Sequence, residues 1–334
     1  MSGERRMMGG VTSGEWRVAR EDEGTLRVPS SGSPLATRHS PLITACMFVL
    51  ATLAWLSRCQ ADNQVFDLLM NRGVAVGADE VVRLPRPTLA DGLSAEGQRR
   101  AIEAVAGSSH SWDQLTRRSV VAPFVLRISK EEDQQERRGR RLDLWFVAYG
   151  EMKTLDNQDF LRRQFRSATS EGDPENGSTS RRLTASDLQR RGLMPPTRPG
   201  DPEYVAAEFT LLDRVRLQVT TQSTRSKTDE SNLAASILDR RFTDDAQFPN
   251  QWRPITRDDA GRRGLGPPQP YFGFGGYAKA TRLIDPPGAL LIEYHAAFAE
   301  PQGWFSGTNL LRSKLPILAQ IIVRQLRRGL EKAK

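Results

Sequence analysis

The residues with most chemical potential in this chain lie close together near its C-terminal end. Glu293 and His295 sit two apart in Ala289-Leu-Leu-Ile-Glu-Tyr-His-Ala-Ala-Phe298. In an extended strand side chains alternate, so both point to one face. A carboxylate beside an imidazole can orient, accept or donate a proton. Such a pair would serve a hydrolase or an isomerase. No Gly-x-Ser-x-Gly turn or other singled-out nucleophile accompanies it, and the default place for such a histidine is structural or at a rim. Asp143 and Glu151 form a second, weaker carboxylate pair.

The other chemistries find little support. The three histidines, His39, His110 and His295, lack metal-ligand spacing, and no cysteine follows Cys59. Zinc sites of cysteine type, disulfide frameworks and thiol nucleophiles are therefore excluded from the body of the chain. No metal and no cofactor is expected. Tyr271-Phe-Gly-Phe-Gly-Gly276 is glycine-rich but leads into a strand. A phosphate-cradling loop would lead into a helix N-terminus. The glycines read instead as a close-packed start to that strand, with the aromatics as core.

Charge points to no nucleic acid. The net charge is +8, but the 48 Lys and Arg are mixed with 40 Asp and Glu. A nucleic-acid binder more often gathers its basic residues on one element among aromatics. A solvated basic surface explains the balance.

The elements that would position Glu293 and His295 are the most regular in the chain. Tyr277–Ile284 and Ala289–Phe298 alternate and are joined by Asp285-Pro-Pro-Gly288, a hairpin. From Leu315 the residues Leu315, Leu318, Ile322 and Leu326 recur at three- and four-residue steps, the stripe of an amphipathic helix. Pro316 fits the first turn of such a helix, and Arg324, Arg327, Arg328 and Lys332 are expected in solvent near its C-terminal end.

Upstream, Val65–Met70 and Ser94–Ala106 read as short helices, stopped by Gly73 and Gly107 and, for the second, started by Ser94. Ser119–Ile128 and Leu142–Met152 read as strands, with Pro123 placing the first near an edge. Leu142, Leu144, Phe146 and Ala148 share one face of the second. The charged run Lys130–Arg141 between them reads as a long solvated loop. Phe209, Leu211, Val215, Leu217 and Val219 share parity along Tyr204–Thr221, and Leu233–Phe242 would return antiparallel. Phe248–Gln269, rich in Pro, Gly and Arg, reads as irregular. The expected fold class is α+β: an antiparallel sheet of about five to seven strands with a long C-terminal amphipathic helix packed across it.

Residues 1–37 read as a disordered leader. Residues 38–61 read as a signal peptide: Arg38, a short apolar core at Pro41–Leu56, then Cys59-Gln-Ala61, with small residues where an export peptidase cuts. Residues 62–334 then form a single domain carrying a disordered surface insert near 166–203, where Pro and Gly cluster. The protein is expected outside the cytoplasm, periplasmic or extracellular. If 41–56 stays uncleaved it is a membrane anchor, and the protein becomes an envelope structural or interaction protein.

In element order, an antiparallel sheet with a terminal helix across it resembles the helix-grip layout of START-like lipid-binding domains. That resemblance implies a non-catalytic domain with an apolar cavity between sheet and helix. The implied partner is a hydrophobic small molecule or lipid, with Trp145, Phe209, Leu211, Trp304 and Ile322 as candidate lining residues.

Overall fold

A computed structural model describes residues 63–77, 80–132, 138–157, 160, 179–198, 200–212, 214–301, 303–304 and 310–333. The segments read as leader and signal peptide, with the apolar run at 41–56, lie outside the described residues. Among the described residues no helix is long and apolar enough to cross a membrane.

The fold is α+β, built on one large antiparallel sheet and closed by a C-terminal helix. In chain order the elements begin with α1 (Gln64–Arg72), β1 (Val74–Ala75), β2 (Val81–Val82), α2 (Ala95–Ala106) and α3 (Trp112–Thr116). They continue with β3 (Val125–Glu132), β4 (Arg138–Tyr149), α4 (Met152–Leu155), β5 (Thr179–Arg182), α5 (Ala185–Gln189), β6 (Glu203–Leu211), β7 (Val215–Lys227) and β8 (Ser231–Leu238). Last come β9 (Gln251–Arg257), β10 (Arg263–Leu265), β11 (Gln269–Pro270), β12 (Phe274–Arg282), β13 (Ala289–Ala299) and α6 (Leu310–Lys332).

Eleven strands join the main sheet, more than the five to seven expected. Its spine runs β10-β9-β7-β8-β12-β13-β4-β3, with β6 and then β5 on the other edge of β7 and β11 beside β9. Three of the unforeseen strands, β9, β10 and β11, come from the segment read as irregular. Only Trp252 is buried in β9. A marginal strand of this kind carries no apolar alternation to betray it. The charged loop also shrinks. The β3–β4 ladder continues to Glu132↔Arg138, so backbone pairing extends well into the charged run. β3 ends the spine of the sheet, beside Pro123 as expected. Over its described part, the insert near 166–203 holds β5 and α5, the latter capped by Thr184.

The β12–β13 hairpin and its neighbours fix the two faces of the sheet. Cross-strand partners share a face. Phe146↔Ile292 and Leu144↔Tyr294 point to one side. There α6 lays Leu315, Leu318, Ile322, Val323, Leu326 and Leu330 against them. At roughly 1.5–3 kcal/mol for each fully buried aliphatic side chain, this stripe is what holds α6 down. Gly150 lets the helix end approach: a Cβ there would stand 2.9 Å from Leu330 Cβ. The opposite side is covered by α1, by the strap Leu84–Asp91 and by α2 and α3. Leu89, Ile102, Trp112 and Leu115 pack there on Val147 and Leu291.

Two details of α6 differ from expectation. The helix starts at Leu310, so Pro316 lies inside it rather than in its first turn. Arg327 is not solvated. It is 3% exposed, and its guanidinium donates to the carbonyls of Val147 (2.8 Å), Ala122 (2.5 Å), Pro123 (3.0 Å) and Val120 (3.3 Å). Burial pulls its pKa down to about 10, still high enough to keep it charged at neutral pH. It ties the helix to β4 and to the segment leading into β3.

Candidate functional site

Two regions of the sheet concentrate the residues singled out by sequence, and they lie on opposite faces. The polar region is built by register. Tyr277, His295 and Asp143 are successive cross-strand partners on β12, β13 and β4, and Lys279, Glu293 and Trp145 form the next row on the same face. His295 Nδ1 lies 2.8 Å from Asp143 Oδ1, and Nε2 lies 3.3 Å from Glu293 Oε2. Arg141 donates to Asp143 at 3.0 Å. The rings of Tyr277 and Trp145 flank the imidazole, each 4.9 Å away between centroids.

The strap Leu84–Asp91 seals this cluster through polar contacts. The Thr88 amide donates to Glu293 Oε2 at 2.8 Å, and Trp145 Nε1 donates to the Thr88 hydroxyl at 2.8 Å. Tyr277 donates to the Pro85 carbonyl at 2.7 Å, and Lys279 to the Leu89 carbonyl at 2.8 Å and to Asp91 at 2.9 Å. The side chains of His295 and Glu293 are 0% exposed and that of Asp143 3%. Among the described residues Glu293 Oε1 has no hydrogen-bond partner.

Burial by itself would lower the pKa of His295. The hydrogen bonds and charges of Asp143 and Glu293 outweigh it and raise the pKa above the ordinary value. Burial, with Glu293 and Asp143 nearby, raises that of Tyr277 as well. The two flanking carboxyl groups favour the protonated form of the imidazole more than burial disfavours it. Its two nitrogens are taken by different carboxylates, so the ligand atoms do not converge. Among the described residues no group of His, Cys, Asp and Glu has metal-holding geometry. Glu151 stands apart, exposed and paired with Lys153 at 2.5 Å.

The apolar region lies under the N-terminal half of α6. A cavity of about 40 Å³ is lined there by Phe209, Leu211 and Leu217 of the β6–β7 hairpin, by Tyr294 and Ala296 of β13, and by Trp304 and Leu315, among others. Three of the five residues expected to line a ligand cavity, Phe209, Leu211 and Trp304, do line this one. Trp304 stacks on Tyr271 (5.5 Å, 16°) and meets Trp252 edge-on (5.8 Å, 71°). Ile322 is buried farther along α6, and Trp145 stands on the opposite face with His295. The parity of β4 already separates Trp145 from Leu144 and Phe146. Sequence reasoning missed Tyr294 and Ala296, whose parity with Ile292 was the available sign.

Fold and cavity together define a class: an antiparallel sheet gripped by a C-terminal helix, with an apolar hollow between them. No family model matches the chain, and no curated protein does. Among solved structures it is similar to the lipid transfer and protein localization domain of human StarD13 (DLC2), at 8% identity. That match covers 62% of this chain and 90% of the other with a TM-score of 0.34. It is also similar to CalU16 from Micromonospora echinospora (7% identity, 63% and 92% covered, TM-score 0.20). A third is the di-domain ARO/CYC StfQ from the steffimycin biosynthetic pathway (14% identity, 63% and 80% covered, TM-score 0.23). Overlaps this loose assign neither a family nor a ligand.

Proposed function

We propose that the protein binds a small hydrophobic molecule or lipid without transforming it, in the cavity between the sheet and the N-terminal half of α6. The observation that carries this reading is the lining itself. Aromatic and aliphatic side chains from β6, β7, β13, α6 and the Trp304 turn converge on one void. Interiors are otherwise packed to crystal-like density, and apolar voids are where apolar ligands go. At about 40 Å³ the void has room for roughly three water molecules. A lipid chain needs more, so uptake displaces Trp304 and the start of α6.

Titration with a fluorescent fatty acid tests this, alongside native mass spectrometry of gently purified protein. Saturable binding, lost in Ala296→Leu, supports the reading, because the added side chain fills the void. A wild-type protein that binds no fatty acid and carries no apolar molecule overturns it. The short apolar run at 41–56 followed by Cys59-Gln-Ala61 supports a separate proposal, that the protein is exported with a mature chain starting near Asp62. N-terminal sequencing of the native protein checks that separately.

A further inference from the structure

The strands that line the apolar cavity carry a second, unlike surface on their other face. Phe209, Leu211 and Leu217 point to the cavity, so Glu208, Thr210, Arg216 and Gln218 point the opposite way. β9 extends that surface. Arg216 is the cross-strand partner of Arg253, and Gln218 of Gln251. β6 completes it, with Glu208 opposite Gln218 and Thr210 opposite Arg216. The result is a floor of two arginines, two glutamines, one glutamate and one threonine.

The charges on this floor are unevenly answered. Arg216 donates to Glu208 at 2.7 Å and to Thr210 at 3.1 Å. The two glutamines bond each other, Gln251 donating to Gln218. Arg253 stands directly across from Arg216, and its buried Nε meets no acceptor among the described residues. Like charges placed directly opposite on antiparallel strands repel, and a buried guanidinium donor without an acceptor is costly. An anion between them would relieve both.

The floor lies in a groove large enough to hold one. The hollow measures about 330 Å³, walled by Gln247 and Pro249 on one side and Leu265 on another. It adjoins a further hollow of about 240 Å³ that shares Glu208, Gln218, Gln247 and Pro249. Small-molecule sites begin at roughly this size. Two arginines against one glutamate leave the floor with a single positive charge, which suits one oxyanion and not a polyanion.

We propose that this groove binds a small polar molecule through one oxyanion, a carboxylate or a phosphate. Arg253 anchors it by paired N–H donors, and Gln218 and Gln251 flank the anchor. Calorimetric titration of the full chain with inorganic phosphate and, separately, with succinate tests this, at ionic strength held constant with chloride. One of the two binds saturably, and the tighter of them identifies the oxyanion. Arg253→Gln weakens that binding about tenfold or more. Arg262→Gln, which removes the same charge from an exposed residue paired with Asp258, leaves it unchanged.

A readout without variants is the nitrogen-15 NMR signal of Arg253 Nε in the wild-type protein, which shifts to saturation with the bound anion. Failure of both anions to saturate, equal weakening by the two variants, or an Nε signal that stays put while others move each overturns the proposal. None of these outcomes depends on the apolar cavity.

Discussion

The two faces of the central β12–β13–β4 sheet are made from the same strands and do opposite things. Toward α6 the side chains are aromatic and aliphatic, and they leave a void. Toward the strap a buried row of Tyr277, His295, Asp143, Lys279 and Glu293 is hydrogen-bonded, beside an apolar patch that includes Val147 and Leu291. The apolar face can be left incompletely filled, because an empty pocket there costs only lost packing contacts. The polar cluster tolerates gaps poorly, because each unpaired group in a low-dielectric interior costs far more, and Glu293 Oε1 carries that cost among the described residues. Space for a ligand therefore survives on the face that binds weakly to itself, and the face rich in hydrogen bonds serves as the clasp.

The sharpest way to break this contrast is to remove the imidazole. His295→Leu leaves Asp143 and Glu293 buried near one another without the imidazole that bonds to both. We expect a loss of about 3–5 kcal/mol in unfolding free energy by urea denaturation. A loss under about 1 kcal/mol would show that the cluster is wetter than its burial indicates.

Arg327→Met tests the second clasp. It keeps much of the side-chain volume but strips four backbone carbonyls of their donor. We expect about 2–4 kcal/mol of destabilisation, with faster amide exchange along α6 and around Val120–Pro123.

Acidity separates the faces further. The folded pKa of His295 is raised, so its contribution is complete below the ordinary histidine value and is lost as pH rises through the folded value. Burial opposes the charged imidazole, and the hydrogen bonds and charges of Asp143 and Glu293 outweigh it. Stability measured from pH 6 upward should fall in wild type by a step that His295→Leu lacks. Parallel curves would show that the imidazole does not titrate there. The smallest effect belongs to the apolar face. Ala296→Leu should change stability by less than about 1.5 kcal/mol in either direction, since the void accommodates part of the added volume.

How much of this was legible in the sequence follows from the range of each interaction. The β12–β13 hairpin and the stripe of α6 were readable because their patterns are local: strict alternation around Asp285-Pro-Pro-Gly288, and three- and four-residue spacing from Leu315. Glu293 and His295 were readable as a pair for the same reason. Their third partner was not. Asp143 lies 152 residues from His295, and only the β4–β13 register brings it there. Arg327 was misread because its charge outweighed its position, four residues after buried Val323 and one after Leu326. β9 to β11 were missed because strands so little buried need no apolar period. Phe209 and Leu211 were legible as inward-facing because they share parity with the buried Val215, Leu217 and Val219.

Hydrogen exchange with and without a bound fatty acid tests the division of the sheet most directly. Binding should protect the β6–β7 hairpin, the turn at Trp304 and the first half of α6, and leave the strap Leu84–Asp91 unchanged. Protection or opening confined to the strap, with α6 unaffected, would place the ligand over His295 and contradict the assignment of the apolar face as the binding side.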